Sequence, residues 1–156
     1  LDRWVILPMM QLLGTKRADA AIAKGSLKDL VRPLDLRAGP PSLPGWEIIP
    51  TPGHTPGHIA LFRRGDRVLI TGDALLTMDV NSPAGFVARE PRISPPPRFT
   101  SWEWPLVTRS LGRLARLQPT LIVSGHGVPM AGAGIADELA GLAERMRGRR
   151  SGSTAR

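Results

Sequence analysis

The chain has 156 residues, 42% of them hydrophobic, no cysteine and a formal net charge of +8. That length fits one domain with an ordinary core, and the missing cysteines exclude disulfide scaffolds, cysteine-ligated zinc and thiol nucleophiles. Arginines 145, 147, 149, 150 and 156, opposed only by Glu144, supply half of the net charge from the last thirteen residues; with aromatic residues at 4%, this reads as a solvated basic tail and not as a nucleic-acid surface.

Residues 1–31 read as helical, with apolar positions at Ala18, Ile22, Leu27, Leu30 and Val31. The apolar run 4–10 is too short to span a bilayer, is broken by Pro8 and lacks the flanks of a secretory leader. The expectation is a soluble, cytoplasmic protein with no membrane contact. The Pro/Gly-rich stretch 38–45 is a surface loop. Strands are expected at 46–49, 58–63 and 67–71, the last two joined by a tight turn around Gly65. Residues 79–99, with Pro83, Pro91 and the triplet at 95–97, read as largely irregular. A helix is expected over 105–117, with Pro105 at its first position and Leu106, Leu111, Leu114 and Leu117 on its apolar side. A buried strand at 120–123 and an amphipathic helix at 134–147 follow, then a flexible basic tail at 148–156. The whole reads as a single mixed α/β domain over 1–147, with its best-supported core at 44–130.

All three histidines lie in Gly/Pro-rich loops beside the ends of expected strands. His54 and His58 belong to Thr-Pro-Gly-His-Thr-Pro-Gly-His at 51–58, and His126 belongs to Ser-Gly-His-Gly at 124–127. Asp73 closes Thr-Gly-Asp at 71–73. Side chains placed where a rigid strand hands over to a loop are what a metal or catalytic site requires, and the neighbouring glycines let the backbone approach a small ion. Imidazole with carboxylate suits zinc, and iron or manganese less specifically. Taken singly, each residue reads as an exposed loop histidine or a turn aspartate. Their succession after consecutive strands carries the metal reading.

The three motifs resemble the C-terminal motifs of the metallo-β-lactamase-fold hydrolases, a group that includes glyoxalase II-like enzymes and lactonases. The 18 residues between His54 and Asp73 enclose one hairpin, and a helical segment precedes His126, as in that family. The resemblance implies a four-layer αββα sandwich, of which this chain holds the C-terminal half, a mixed sheet with flanking helices. It implies that His54 is a ligand of a first metal, that Asp73 is the bridging carboxylate and catalytic residue, and that His126 is a ligand of a second metal. It implies that His58 is not a ligand but orients the loop by hydrogen bonding. The cofactor implied is one or two zinc ions, with iron or manganese as alternatives. The reaction implied is attack of metal-activated water on an ester, thioester, lactone or related bond of a small-molecule substrate; relatives that use mononuclear iron for sulfur oxidation share the motifs. The family's His-x-His-x-Asp-His loop is absent, since no histidine precedes His54. Each metal would keep two ligands where a catalytic zinc takes three. With Leu1 as first residue, the expectation is an inactive fragment that lacks an N-terminal half or self-associates. The alternative is a non-catalytic binding module whose arginine tail meets acidic partners. Phe86, Phe99, Trp102 and Trp104 are candidates for the mouth of the pocket or for the core.

Overall fold

A computed structural model of the chain describes residues 33–88 and 90–151, with the side chains of Phe86, Ala88 and residues 149–151 outside the description. The helical expectation for residues 1–31 lies outside the described residues. Residues 1–34 and 35–156 are separate units, and the elements described all belong to the second. They are β1 (Trp46–Pro50), β2 (Ile59–Arg63), β3 (Val68–Gly72), α1 (Pro83–Ala88), α2 (Trp104–Ala115), β4 (Leu121–Ser124), β5 (Met130–Ala131) and α3 (Ile135–Ser151).

The strands form one mixed sheet in the order β1-β2-β3-β4-β5. β1, β2 and β3 pair antiparallel in succession, β3 and β4 pair parallel, and β5 returns antiparallel along β4. A parallel pair needs a crossover, and the segment containing α2 supplies it. The two-residue alternation of a strand sorts the side chains. Ala60, Phe62, Leu69 and Ile122 turn to one face and join Val107, Leu111 and Leu114 of α2 and Ile135, Leu139, Leu142 and Met146 of α3 in one core. The spacing of those helical residues at three and four positions gives each helix a single apolar stripe. Fully buried leucines such as Leu69, Leu111, Leu114 and Leu139 contribute roughly 1.5–3 kcal/mol each. On the other face, Ile48, Leu61, Ile70 and Val123 stand in one register row across β1 to β4. The α/β class and the mixed sheet with flanking helices match the expectation.

Expected strands and the helix at 105–117 shift by one or two residues at their ends, and three elements differ from the sequence reading by more. Within 79–99, expected to be irregular, residues Pro83–Ala88 form α1. The Ser82 hydroxyl accepts a hydrogen bond from the Gly85 N–H at 3.0 Å, and Pro83 takes the first helical position, so local capping prevails over proline content. β5 is only two residues long and offers too short a pattern to read. α3 runs to Ser151, four residues past the expected end. No helix among the described residues is long and apolar enough to cross a membrane.

Candidate metal centre

The sheet order brings the chemistry to one edge. β1, β3 and β4 run in the same direction, so the loops that follow them, carrying His54, Asp73 and His126, leave the same end of the sheet. His58 enters the antiparallel β2 from that end. The 51–58 loop closes on itself through Thr51 N–H to the His58 carbonyl at 2.8 Å and His58 N–H to the Thr55 carbonyl at 3.3 Å. It is tied to α2 and the segment before it: Glu103 N–H donates to the Gly53 carbonyl at 3.0 Å, Trp102 N–H to the His54 carbonyl at 3.3 Å, and the Ser110 hydroxyl to the Pro52 carbonyl at 2.7 Å. The histidine loop is thereby held to a packed helix.

His54 Nε2 lies 3.8 Å from Asp73 Oδ2, and His126 Nε2 lies 3.6 Å from Asp73 Oδ1. Both separations exceed hydrogen-bond length. Asp73 Oδ1 is a buried oxygen with no hydrogen-bond partner among the described residues, a state that costs stability unless something else satisfies it. A Cβ at Gly125 would stand 2.4 Å from that oxygen, so only glycine lets the β4 loop come this close to the carboxylate.

The neighbours of His54 place a proton on its Nδ1. The Ser101 hydroxyl gives its one proton to the Pro97 carbonyl at 2.7 Å, so it can only accept from His54 Nδ1, 3.3 Å away. Nδ1 therefore carries a proton, and in the neutral ring the Nε2 lone pair faces a carboxylate oxygen. Two opposed lone pairs repel unless a cation lies between them. The His126 backbone is held just as firmly. Its carbonyl accepts from the Ser124 hydroxyl at 2.6 Å, the Thr77 hydroxyl at 3.2 Å and the Thr77 N–H at 3.2 Å.

His58 is different. Its Nε2 accepts the Asp73 N–H at 3.1 Å, which places the remaining proton on Nδ1 for donation to Thr51 Oγ1 at 2.8 Å. Both nitrogens are committed, and the ring ties the end of β1 to the Asp73 loop. Burial is the main cause that pushes its pKa below the usual histidine value; the nearby His54 adds to the effect and Asp73 opposes it.

A cavity of about 370 Å³ opens beside His54, Asp73 and His126, walled by Leu76, Val80, Pro97, Phe99 and Thr100. Of the aromatic candidates, Phe99 lines this cavity, Trp104 packs against the core and Trp102 is 77% exposed. The side chain of Phe86 lies outside the description. Ser101 and Thr77 were not singled out from the sequence, and nothing local marks them. They lie 47 and 49 residues from the histidines they hold. Thr51 and Ser124 stand inside the two histidine motifs, where a signal was available.

Two imidazole nitrogens flanking one carboxylate are donors suited to a divalent transition-metal ion. The 3.6 and 3.8 Å separations are close to the roughly 3.4 Å between two ligands of a tetrahedral ion with bonds of about 2.1 Å. The donors fit such an ion in kind and spacing but not in number. Among the described residues no group of three or more His, Cys, Asp or Glu side chains converges on one ion; His54 and His126 approach different oxygens of Asp73.

The sequence profile of the Metallo-beta-lactamase superfamily matches residues 8–126. The chain is 39% identical over 106 residues to the probable metallo-hydrolase YflN of Bacillus subtilis (strain 168), a match that covers 68% of this chain and 40% of that protein. It is 30% identical over 117 residues to the probable metallo-hydrolase YqjP of the same organism, covering 71% of this chain and 33% of that protein. Among solved structures, the metallo-beta-lactamase FIM-1 from Pseudomonas aeruginosa in its mono-zinc form aligns over 73% of this chain and 46% of its own, at 17% identity and a TM-score of 0.48. The chain spans less than half the length of these relatives.

Proposed function

Because the chain belongs to the metallo-beta-lactamase superfamily of metallo-hydrolases, we propose that His54, Asp73 and His126 are metal ligands of a hydrolase acting on an ester, thioester or lactone bond. The observation that carries the reading is the pair of imidazole Nε2 atoms directed at the two oxygens of Asp73, one of them buried without a hydrogen-bond partner among the described residues. Zinc is the ion the donors suit best, and iron or manganese can use the same set. When bound, such an ion lowers the pKa of a water molecule and polarises the scissile carbonyl.

The chain's own residues supply the frame for that chemistry. Asp73 offers one oxygen to each side and keeps the two imidazoles on a common carboxylate. Ser101 holds the His54 proton on Nδ1 and so keeps Nε2 free as a donor. His58 fixes the backbone of Asp73 from behind. The cavity walls seat the acyl group next to the carboxylate. In the overall reaction the water oxygen bonds to the carbonyl carbon, the C–O or C–S bond breaks, and a proton passes to the departing alcohol or thiol.

Two donors on each side fall short of the three that a catalytic zinc takes. The reading therefore includes further donors from a longer polypeptide of which these residues are a part. The same shortfall favours a second reading, a non-catalytic binding module on this fold.

The test is metal uptake by the 156-residue chain, followed by Co²⁺ absorption and elemental analysis, beside a His54→Ala/His126→Ala double variant. Weak, saturable uptake that drops at least about tenfold in the double variant is expected, an effect of the size seen when ligands are lost. Equal uptake by both proteins overturns the ligand assignment. Uptake that does not tighten when the missing donors are supplied by a full-length relative's N-terminal part favours the binding module.

A further inference from the structure

We infer that the cavity beside His54, Asp73 and His126 selects an uncharged, apolar acyl group of modest size and rejects acyl groups that end in a carboxylate or phosphate. The inference rests on the reading of this edge as a hydrolytic site and specifies what the site accepts.

The argument starts from how charge is distributed around the cavity. Its polar groups, His54, Asp73 and His126, are gathered at one end, while Leu76, Val80, Pro97 and Phe99 form the rest of the wall. Leu76 is fully buried, and the Thr100 hydroxyl turns to the Pro97 carbonyl at 3.4 Å. Among the described residues no lysine or arginine lines it. Arg98, next to Phe99 in the chain, is stacked over the Trp104 ring at 5.0 Å and is not part of the wall. Arg92 and Arg145 line a different pocket, of about 220 Å³, with Asp79 and Asn81.

An anionic tail entering the first cavity would leave water and find no cation among the described residues away from the ligand end. Burying a charge without a partner is far costlier than burying a methyl group. A hydrocarbon tail would instead gain from covering Val80 and from Phe99, which is 42% exposed without an occupant. The volume stands near the lower bound for small-molecule sites, about 300–1,000 Å³, which suits a short acyl chain.

Two probes of equal length separate the alternatives, hexanamide and adipamate, the second carrying a carboxylate at its far end. Binding to the 156-residue chain is followed by saturation-transfer NMR and competition, with circular dichroism to verify folding. Hexanamide is expected to bind at least about tenfold more tightly than adipamate. Val80→Asp should weaken hexanamide by a similar factor. Val80→Lys should reverse the preference, a gain that misfolding cannot imitate. Adipamate binding within about threefold of hexanamide, binding of neither probe, or an unchanged preference in Val80→Lys overturns the inference. Co²⁺ uptake is recorded on the same samples. Loss of cobalt uptake with amide selectivity intact removes the metal reading alone, and the converse removes only the selectivity.

Discussion

Residues 51–54 and 55–58 are the same tetrapeptide, Thr-Pro-Gly-His, written twice, and the fold gives the two copies opposite tasks. In the first copy the threonine is 1% exposed and the glycine is buried at φ 137°, with its histidine turning Nε2 toward Asp73. In the second copy the threonine and glycine are exposed, and the histidine turns inward with both nitrogens hydrogen-bonded. The residues are identical, so the difference comes from what packs against each copy. α2 and the segment before it grip the first, and the second runs straight into β2. A ligand histidine needs a held backbone and a free nitrogen, whereas a bracing histidine needs two partners.

The glycines should break the symmetry most strongly. A Cβ at Gly53 would meet the Val107 backbone nitrogen at 2.4 Å, whereas no described residue lies within 4 Å of one at Gly57. Gly53→Ala combines a clash with backbone, which cannot swing aside, and a strained φ; together these cost about 2–5 kcal/mol. Gly57→Ala should stay within about 0.5 kcal/mol of wild type or stabilise slightly. Urea unfolding of both variants measures the gap, and equal midpoints would show that α2 does not constrain the first copy.

The histidines come next, and they should separate two readouts. His58→Ala leaves the Asp73 N–H and the Thr51 hydroxyl without their partner, a loss of about 2 kcal/mol in unfolding free energy. His54→Ala, at a side chain 16% exposed with one long hydrogen bond, should cost less than about 1 kcal/mol while lowering Co²⁺ affinity at least about tenfold. If His54→Ala proves the more destabilising and His58→Ala the more damaging to metal uptake, the assigned tasks are reversed. Ser101→Ala should lower Co²⁺ affinity by about tenfold with little change in stability, since it frees the His54 ring to rotate or change tautomer. Ser101→Thr, which keeps the hydroxyl, should restore most of it.

Much of this arrangement was legible in the sequence because it depends on short-range pattern. The alternation in 46–71 marked three strands and their hairpin, and Leu111 and Leu114 marked the apolar side of α2. His54, Asp73 and His126 stood out because each follows a strand within a glycine-containing motif, and three strands running one way then bring them to one edge. The divided fate of the repeat was not legible. It depends on α2, which begins some fifty residues later, and on hydrogen bonds with Ser101 and Asp73 that no local pattern announces. α1 was hidden for another reason. Proline was read as a breaker at a position where it serves as a helix start, and Ser82 was the missed cue.

The smallest effect expected from the comparison is its dependence on pH. Neutral His58 accepts the Asp73 N–H at Nε2, and an imidazolium cannot accept, so the folded state resists protonation. Its pKa is pushed below 6.5, first by burial and then by the neighbouring His54, with Asp73 acting in the other direction. The unfolded chain, with an ordinary imidazole, binds the proton more readily. Between the folded value and 6.5 the unfolded state therefore holds more protons, and stability rises with pH across that window. The contribution is complete above 6.5 and declines as pH falls below it. Urea unfolding with a chelator present, so that metal binding does not add its own protons, should show this slope in wild type. His58→Gln, whose amide can still accept from the Asp73 N–H but does not titrate, should flatten it, while His54→Gln should leave most of it in place. Equal slopes in wild type and His58→Gln would mean that the second copy is not the one whose protonation opposes folding.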